Sequence, residues 1–156
     1  MLVIPAPQPI TNAISPKVFL AGSIDQDTAV NWQSSIINFL CGNTGTILNP
    51  RRAHWDPSWE QKIENPDFYA QVTWELNSLD NSDIIVMYFD ANSKSPISLL
   101  ELGLYASSGK LIVYCPDGYW RKGNVDIVCE KYNIPEFSDL GAFLDALKLK
   151  VEHFGM

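Results

Sequence analysis

Short, unbroken runs of hydrophobic residues alternate along this chain with longer segments in which hydrophobic residues recur at helical spacing. The runs are typical of strands buried on both faces, and they predict strands over 18–21, 46–48, 83–89, 111–115 and 134–137. The other segments predict helices over 29–40, 66–79, 96–106, 125–132 and 140–154. Because such alternation is typical of parallel sheets covered on both faces, we predict an α/β protein. Its architecture should be a flavodoxin- or Rossmann-like three-layer sandwich with a mostly parallel five-stranded sheet.

The start of the chain differs from the rest because residues 1–16 contain four prolines, Pro5, Pro7, Pro9 and Pro16. Proline fixes the backbone angle φ and has no N–H to donate, so this stretch predicts a proline-rich, extended N-terminal arm. Such an arm is either a floppy terminus or a segment packed on the domain or on a neighbouring subunit. Residues 17–156 show no internal repeat and no linker, which predicts a single domain.

Composition and charge narrow the class of protein. Among 156 residues, 11 lysines and arginines stand against 18 aspartates and glutamates, which gives a formal net charge of −7. An acidic surface repels phosphate backbones, so we expect no nucleic-acid polymer as a partner. No apolar run reaches the roughly 18 residues that a membrane span needs, so we expect no membrane partner. The first basic residue is Lys17, which argues against the charged start of a signal peptide.

The cysteines and histidines predict neither a metal site nor a disulfide scaffold. The three cysteines include no CxxC pair, and the two histidines lie far apart in the sequence. Together with the charge and hydropathy, this predicts a reduced, cytoplasmic protein without a metal.

Polar and aromatic side chains follow the predicted strands, where ligands bind in open α/β sheets. The loops 22–25, 49–52, 90–95 and 116–126 hold the candidate binding residues Gly22, Ser23, Asp25, Arg51, Asp90, Ser95, Asn124 and Asp126. No loop carries GxGxxG or a P-loop and no GxSxG elbow is present, so the candidates for catalysis are carboxylates. Alternatively, Asp90 caps its own loop, and Arg51 with its neighbour Arg52 is solvated or ion-paired rather than bound to an anion.

Glu101 is the most conspicuous carboxylate because its predicted helix is apolar nearly all round. Such a helix should be buried, and glutamate is almost never fully buried unless it is paired or used. Desolvation would raise the pKa of Glu101, whereas a donor such as Ser98, one turn away, would hold it ionised. A carboxylate fixed in this way can act as a nucleophile or base. The alternative is an ion-paired structural glutamate.

Glu75 is a second candidate on the helix predicted over 66–79. It lies one step to the side of an apolar face that we expect to form core, made by Phe68, Val72, Leu76 and Leu79. The alternative for Glu75 is a solvated helix residue. The long connection over 55–65 has the length of a functional lid, and the faces of its Trp55 and Trp59 could stack on a nucleobase or tie the lid down. We expect Trp74 to lie in the core.

Three segments in order resemble the nucleoside 2-deoxyribosyltransferase family. Residues 18–24 (VFLAGSI) resemble its first strand and glycine loop, and residues 95–106 (SPISLLELGLYA) resemble its catalytic segment, whose E-[LI]-G-x-A core holds the nucleophile. Residues 71–76 (QVTWEL) with 82–86 (SDIIV) match the preceding helix and strand. Order and spacing hold over 17–127, and the nearest branch is that of deoxyribosyltransferase-like proteins with an Asn-Pro-Arg-Arg loop.

The resemblance implies roles for the two glutamates and for Ser95. Glu101 falls on the nucleophile, and Glu75 falls where many members have an aspartate that contacts the base and handles its proton. Ser95 falls where transferases often have an aspartate that touches the sugar 5′-hydroxyl. Related deoxynucleoside-monophosphate hydrolases have a phosphate-binding serine there.

Three further positions follow from the resemblance. Asp25 departs from those hydrolases, which carry an arginine after their Gly-Ser-Ile. Asn124 resembles an asparagine that members lend to the neighbouring subunit's site, and Asp126 lies beside it in a looser part of the pattern. The family lacks metals and organic cofactors and forms dimers or higher oligomers, so the resemblance implies a homo-oligomer with a shared active site.

The function implied is transfer of 2-deoxyribose between nucleobases through a covalent glutamyl-sugar intermediate, with a nucleoside or nucleotide and a free base as partners. The alternative is an N-glycoside hydrolase of (deoxy)nucleosides or their 5′-monophosphates. A third reading is a non-catalytic nucleotide-binding or receiver-like regulator with Asp25 and Asp90 at strand ends. A receiver also needs a lysine after its fifth strand, and residues 134–139 supply none.

Overall fold

Six strands form one parallel sheet in the computed structural model, which describes residues 1–24, 31–52 and 56–156. In chain order the strands are β1 (Leu2–Pro5), β2 (Lys17–Gly22), β3 (Thr46–Asn49), β4 (Ile84–Tyr88), β5 (Leu111–Tyr114) and β6 (Glu136–Phe137). They lie side by side in the order β1-β3-β2-β4-β5-β6, and every neighbouring pair is parallel. The predicted α/β sandwich is therefore confirmed.

The predicted strand number, five, is wrong because the proline-rich start contributes an edge strand. Strand β1 pairs with β3, Leu2 lying opposite Thr46 and Pro5 opposite Asn49. A proline is tolerated at the end of an edge strand because its missing N–H breaks no inner ladder, so the prolines concealed this strand. The amino group of Met1 also donates to the carbonyls of Cys41 and Asn43, at 3.0 and 2.8 Å. The start of the chain thus packs on the domain.

Five helices in the described ranges cover the two faces of the sheet. They are α1 (Trp32–Phe39), α2 (Pro66–Asn81), α3 (Pro96–Tyr105), α4 (Lys122–Tyr132) and α5 (Leu140–Glu152). Buried residues of α2, α3 and α4 share one core cluster with Phe19 and Met87, and those of α1 and α5 share another with Leu20 and Val86. Because alternate strand residues point to opposite faces, these two clusters define the three layers.

The inward face of α2 differs from the one predicted. Leu79 is fully buried as expected, but Leu76 is 40% exposed, and the other buried residues of the helix are Gln71 and Ser78. Apolar spacing alone therefore misplaced this helix by about a quarter turn. The physical reason is that its inner side lines a polar site near the carboxyl ends of the strands, where amide and carboxyl groups find partners. Trp74 is only partly buried, packed against the core with its indole N–H donating to Gln8 at 2.8 Å.

Candidate functional site

Serine hydroxyls meet where β2 and β4 end and α3 begins. Ser23, Ser93 and Ser95 are all at least nine-tenths buried. The hydroxyl of Ser95 lies 2.5 Å from that of Ser23 and 2.7 Å from that of Ser93, and the backbone N–H of Asp90 donates to Ser23 at 2.9 Å. The cluster is therefore a fixed, neutral group of hydroxyls at the N-terminus of a helix, a position that favours a bound anion or hydroxyl oxygen.

Gly22 and Ser95 shape the backbone around this cluster. At Gly22 φ is 146°, and a Cβ atom there would collide with the backbone of Tyr88 on the neighbouring strand, so only glycine fits. Ser95 adopts the left-handed conformation, φ 49°, just before Pro96 opens α3. A left-handed non-glycine residue costs free energy, which the hydroxyl cluster must offset. The structure thus gives Gly22 a backbone role and brings Ser23 and Ser95 together.

Glu101 lies in the second turn of α3 and is 8% exposed. Among the described residues its carboxyl group accepts no hydrogen bond, so Ser98, itself buried one turn earlier, does not hold it as expected. Burial, and then the charge of Glu75, raise the pKa of Glu101 to about 8. Glu101 is therefore a desolvated carboxyl group without a counter-ion, which is the opposite of the ion-paired alternative.

Glu75 faces Glu101 from α2 and has a better environment for its charge. Gln71, one turn earlier, donates from Nε2 to Oε1 of Glu75 at 2.8 Å. Burial raises the pKa of Glu75, while the Gln71 hydrogen bond and the charge of Arg52 lower it in part. Because only Glu75 has these partners, it ionises before Glu101. Two neighbouring carboxyl groups with different environments, here one buried and one partly buried, are the arrangement that divides acid and nucleophile roles in glycoside chemistry.

The two arginines after β3 bind side-chain amides. Arg51 donates from Nη1 to Oε1 of Gln33 at 3.2 Å, and Arg52 donates from Nε to Oε1 of Gln71. The Arg52 guanidinium also lies 5.0 Å from the ring centre of Trp59, a cation–π distance. Each arginine is thus tied to the protein near the carboxyl end of β3. Asp25 and Trp55, also proposed from the sequence, lie outside the described residues.

Three candidate residues do not join Glu101 within one chain. Asp90 accepts from the backbone N–H of Asn92 at 2.7 Å, which is the loop-capping alternative. Asp126 forms an ion pair with Lys122 at 2.8 Å, and Lys122 also lies 3.5 Å from Glu136 on the edge strand β6. Asn124 belongs to α4 and lines a groove between α3 and α4, whereas Glu101 lies near Glu75 of α2.

A mostly apolar groove of about 340 Å³ lies between α3 and α4, on the side of α3 away from Glu75. Its lining residues are Leu99, Leu102, Gly103, Arg121, Asn124, Val125 and Val128.

Within the described ranges, no group of three or more metal-ligating side chains is placed to hold a metal ion. In the same ranges no helix is both long and apolar enough to cross a bilayer.

Sequence reasoning missed Gln71 and Ser93, which contact Glu75 and Ser95. Gln71 carried a signal, since it precedes Glu75 by four residues and must share its helix face. Ser93 carried none, because its contact with Ser95 depends on a left-handed backbone turn that the sequence does not mark.

Comparison with known proteins bears on this site directly. A family model described as nucleoside 2-deoxyribosyltransferase like matches residues 15–119, which is more than half of the chain and includes the serine cluster and both glutamates. The chain belongs to the nucleoside 2-deoxyribosyltransferase-like family. The resemblance of its three sequence segments is thereby confirmed, and the family suggests an enzyme.

Solved structures support the fold alone. The crystal structure of a conserved protein from Enterococcus faecalis V583 is similar, with a TM-score of 0.58 and 15% sequence identity. The match covers 86% of this chain and 98% of that one. No curated protein gave a significant match.

Proposed function

We propose that the chain is a nucleoside 2-deoxyribosyltransferase that cleaves the N-glycosidic bond of 2-deoxyribonucleosides and passes the sugar to another nucleobase. The observation that carries this proposal is the pair of carboxyl groups of Glu101, which is buried, and Glu75, which is partly buried, beside the carboxyl edge of the sheet. The pair lies within the segment that the family model matches. Glu101 is the nucleophile and Glu75 is the acid that handles the proton of the base.

The chemistry follows the retaining two-step scheme of glycoside cleavage. A carboxylate oxygen of Glu101 forms a bond to the anomeric carbon while the bond from that carbon to the base nitrogen breaks. The electron pair of the broken bond stays on the base, which takes a proton from Glu75. A second base then attacks the same carbon and releases Glu101, and its proton goes to Glu75. A sugar without a 2-hydroxyl reaches the oxocarbenium-like transition state more easily, which favours deoxy substrates.

The two carboxyl groups must together hold one proton for this scheme. The substrate-free pair places the charge on Glu75 and the proton on Glu101, because Glu75 has Gln71 and Arg52 as partners. The reactive form also holds one proton, but it is on Glu75, and Glu101 carries the charge. Substrate binding therefore has to shift the proton from Glu101 to Glu75, and it need not recruit one from solvent.

A second candidate function, hydrolysis of (deoxy)nucleosides or their 5′-monophosphates, is favoured by the serine cluster. Ser23, Ser93 and Ser95 are neutral and lie at the N-terminus of α3, where a phosphate is as well received as a sugar hydroxyl. Against it stands the net charge of −7. A non-catalytic regulator is a weaker candidate, since it gives no reason to bury Glu101 without a counter-ion.

We also propose that the enzyme is a cytoplasmic homo-oligomer with a shared active site, to which the partner subunit lends Asn124. The outer face of α3 supports this, because Ile97, Leu100 and Leu104 are 56–59% exposed and no charged side chain interrupts them. Asn124 lies exposed beside this face. An apolar face of this kind is typical of a surface that another subunit covers.

The function is tested by incubating the protein with deoxynucleosides and their 5′-monophosphates, each with and without a free acceptor base, and separating the products by chromatography. Glu101→Gln removes the nucleophile at nearly constant size. Glu136→Gln is the matched control, because Glu136 also has a raised pKa but is only partly buried and lies on the edge strand β6, away from Glu75.

A new nucleoside that requires acceptor and Glu101 supports transfer. Free base without a new nucleoside supports hydrolysis. Absence of any Glu101-dependent product rejects both enzymatic candidates.

A further inference from the structure

Gln71 stands at the centre of a chain of polar contacts that ends at the candidate acid. It is 2% exposed, on the inner face of α2. Its Oε1 accepts from Arg52, and its Nε2 donates to the carbonyl of Pro50 at 3.0 Å and to Oε1 of Glu75 at 2.8 Å. Every polar atom of the carboxamide therefore has a partner, which is the condition for burying it without a large loss of stability.

The chemistry of these partners fixes the orientation of the amide. A guanidinium group has only donors, so it must face the amide oxygen, and a carbonyl and a carboxylate have only acceptors, so they must face the amide nitrogen. If the amide were rotated by half a turn, its NH₂ group would face the donor and its oxygen would face the two acceptors, so all three hydrogen bonds would be lost. Arg52, at the other end of this series of polar contacts, is also held in place, because its guanidinium group packs on Trp59.

We propose that Gln71 is a positioning residue that holds Oε1 of Glu75 and connects this carboxyl group to Arg52. The proposal rests on the function proposed above for Glu75 and Glu101. With Oε1 occupied by an N–H donor, a proton on Glu75 has to be carried by Oε2, which has no hydrogen-bond partner among the described residues. Gln71 thus selects the oxygen that exchanges a proton with the base.

The same contacts set the order in which the two carboxyl groups ionise. Within the part of the chain that the structure describes, the charged and titratable groups facing Glu75 are Arg52, from the loop after β3, and Glu101, from α3. The hydrogen bond from Gln71 favours the charged form of Glu75, and nothing equivalent serves Glu101. Loss of Gln71 should therefore raise the pKa of Glu75 and reduce the difference between the pKa values of Glu75 and Glu101.

Two substitutions separate this role from a structural one. Gln71→Met keeps the length of the side chain but removes every hydrogen bond. Gln71→Glu keeps an acceptor for Arg52 but replaces the donor to Glu75 with a carboxylate. The matched control is Gln33→Met, because Gln33 is a fully buried glutamine that accepts from the other arginine of the pair.

Two readouts are needed, the pH profile of kcat/KM and the titration of the Glu75 carboxyl carbon by ¹³C NMR, with Glu75→Gln to assign the signal. We expect both Gln71 variants to move the acid limb and the Glu75 titration upward by roughly one pH unit, the effect of one charge-assisted hydrogen bond. kcat should fall more than KM rises, and Gln33→Met should move neither limb. Melting temperatures show which variants are folded.

A Glu75 titration that stays in place in a folded Gln71 variant overturns the proposal. If Gln71→Met does not fold, Gln71→Glu decides, and wild-type behaviour of that variant also overturns it. If the wild-type protein shows no Glu101-dependent turnover, the proposed function fails. The NMR titration still decides the role of Gln71 in that case, because it needs no substrate.

Discussion

The burial of Glu101 predicts that the protein sacrifices stability for its candidate nucleophile. A carboxyl group whose pKa is higher in the folded than in the unfolded protein does not lower the free energy of unfolding at pH values below its unfolded pKa. As the pH rises from the unfolded pKa to the folded pKa, the free energy of unfolding falls, because the unfolded protein releases the proton more readily. For Glu101 the two values are 4.5 and about 8. Glu101→Gln removes the titration, and we expect it to stabilise the protein at neutral and alkaline pH while abolishing turnover.

The size of this gain follows from the pKa values. Each pH unit above 4.5 adds about 1.36 kcal/mol to the difference in free energy of unfolding between Glu101→Gln and the wild type. At pH 7 the variant should therefore be more stable by about 3 kcal/mol. At pH 8 and above the gain levels off near 5 kcal/mol, and at pH 4.5 it should nearly vanish.

Urea denaturation of the wild-type protein and of Glu101→Gln at pH 5 and pH 8 measures this difference. Glu130→Gln is the control, because Glu130 is an exposed glutamate on α4. Its effect should be small at both pH values. Equal stability of wild type and Glu101→Gln at pH 8, or a loss at both pH values, would refute the argument that Glu101 is an unpaired buried carboxyl group.

Two further predictions concern activity and assembly. The pH profile of kcat/KM should fall above a pH of about 8, because the pair then loses the one proton that the leaving base needs, and a rate that keeps rising to pH 10 would contradict this. Leu100→Glu places a charge in the apolar outer face of α3 and should dissociate the oligomer at micromolar concentration, as measured by light scattering. Leu149→Glu, at a similarly exposed position on α5, should leave the oligomer intact.

The sheet could be predicted from the sequence wherever a strand is buried on both faces. The strand predicted over 83–89 is seen as Ile84–Tyr88, and the others agree within one or two residues. Strand β1 escaped because an edge strand has no need of a long apolar run. Its Leu2 is 50% exposed, and the prolines that follow indicate an extended chain whether or not it pairs.

The helix that carries Glu75 shows why apolar spacing fails near a site. Its apolar stripe predicted an inner face through Leu76, whereas the structure turns Gln71 and Glu75 inward. A buried amide with all its hydrogen bonds made is nearly neutral in free energy, so polar residues can occupy a core position at little cost when partners exist. Those partners, Arg52 and Pro50, come from a distant loop, and periodicity within one helix contains no information about them.

The α3 helix combines three demands that together explain its composition. Its inner side contributes Leu102 to the core, its side toward α2 contributes Glu101, and its outer side is left apolar. The apolar composition predicted a buried helix and made Glu101 conspicuous. Within the single chain that prediction is wrong for the outer side, where three aliphatic side chains are 56–59% exposed. The sequence could not show that Glu101 lacks a counter-ion, because that depends on the position of Arg52, which comes from the distant loop after β3. The charge of Arg52 lowers the pKa of Glu75, whereas burial and the charge of Glu75 raise the pKa of Glu101 to about 8, so the pair retains one proton at neutral pH.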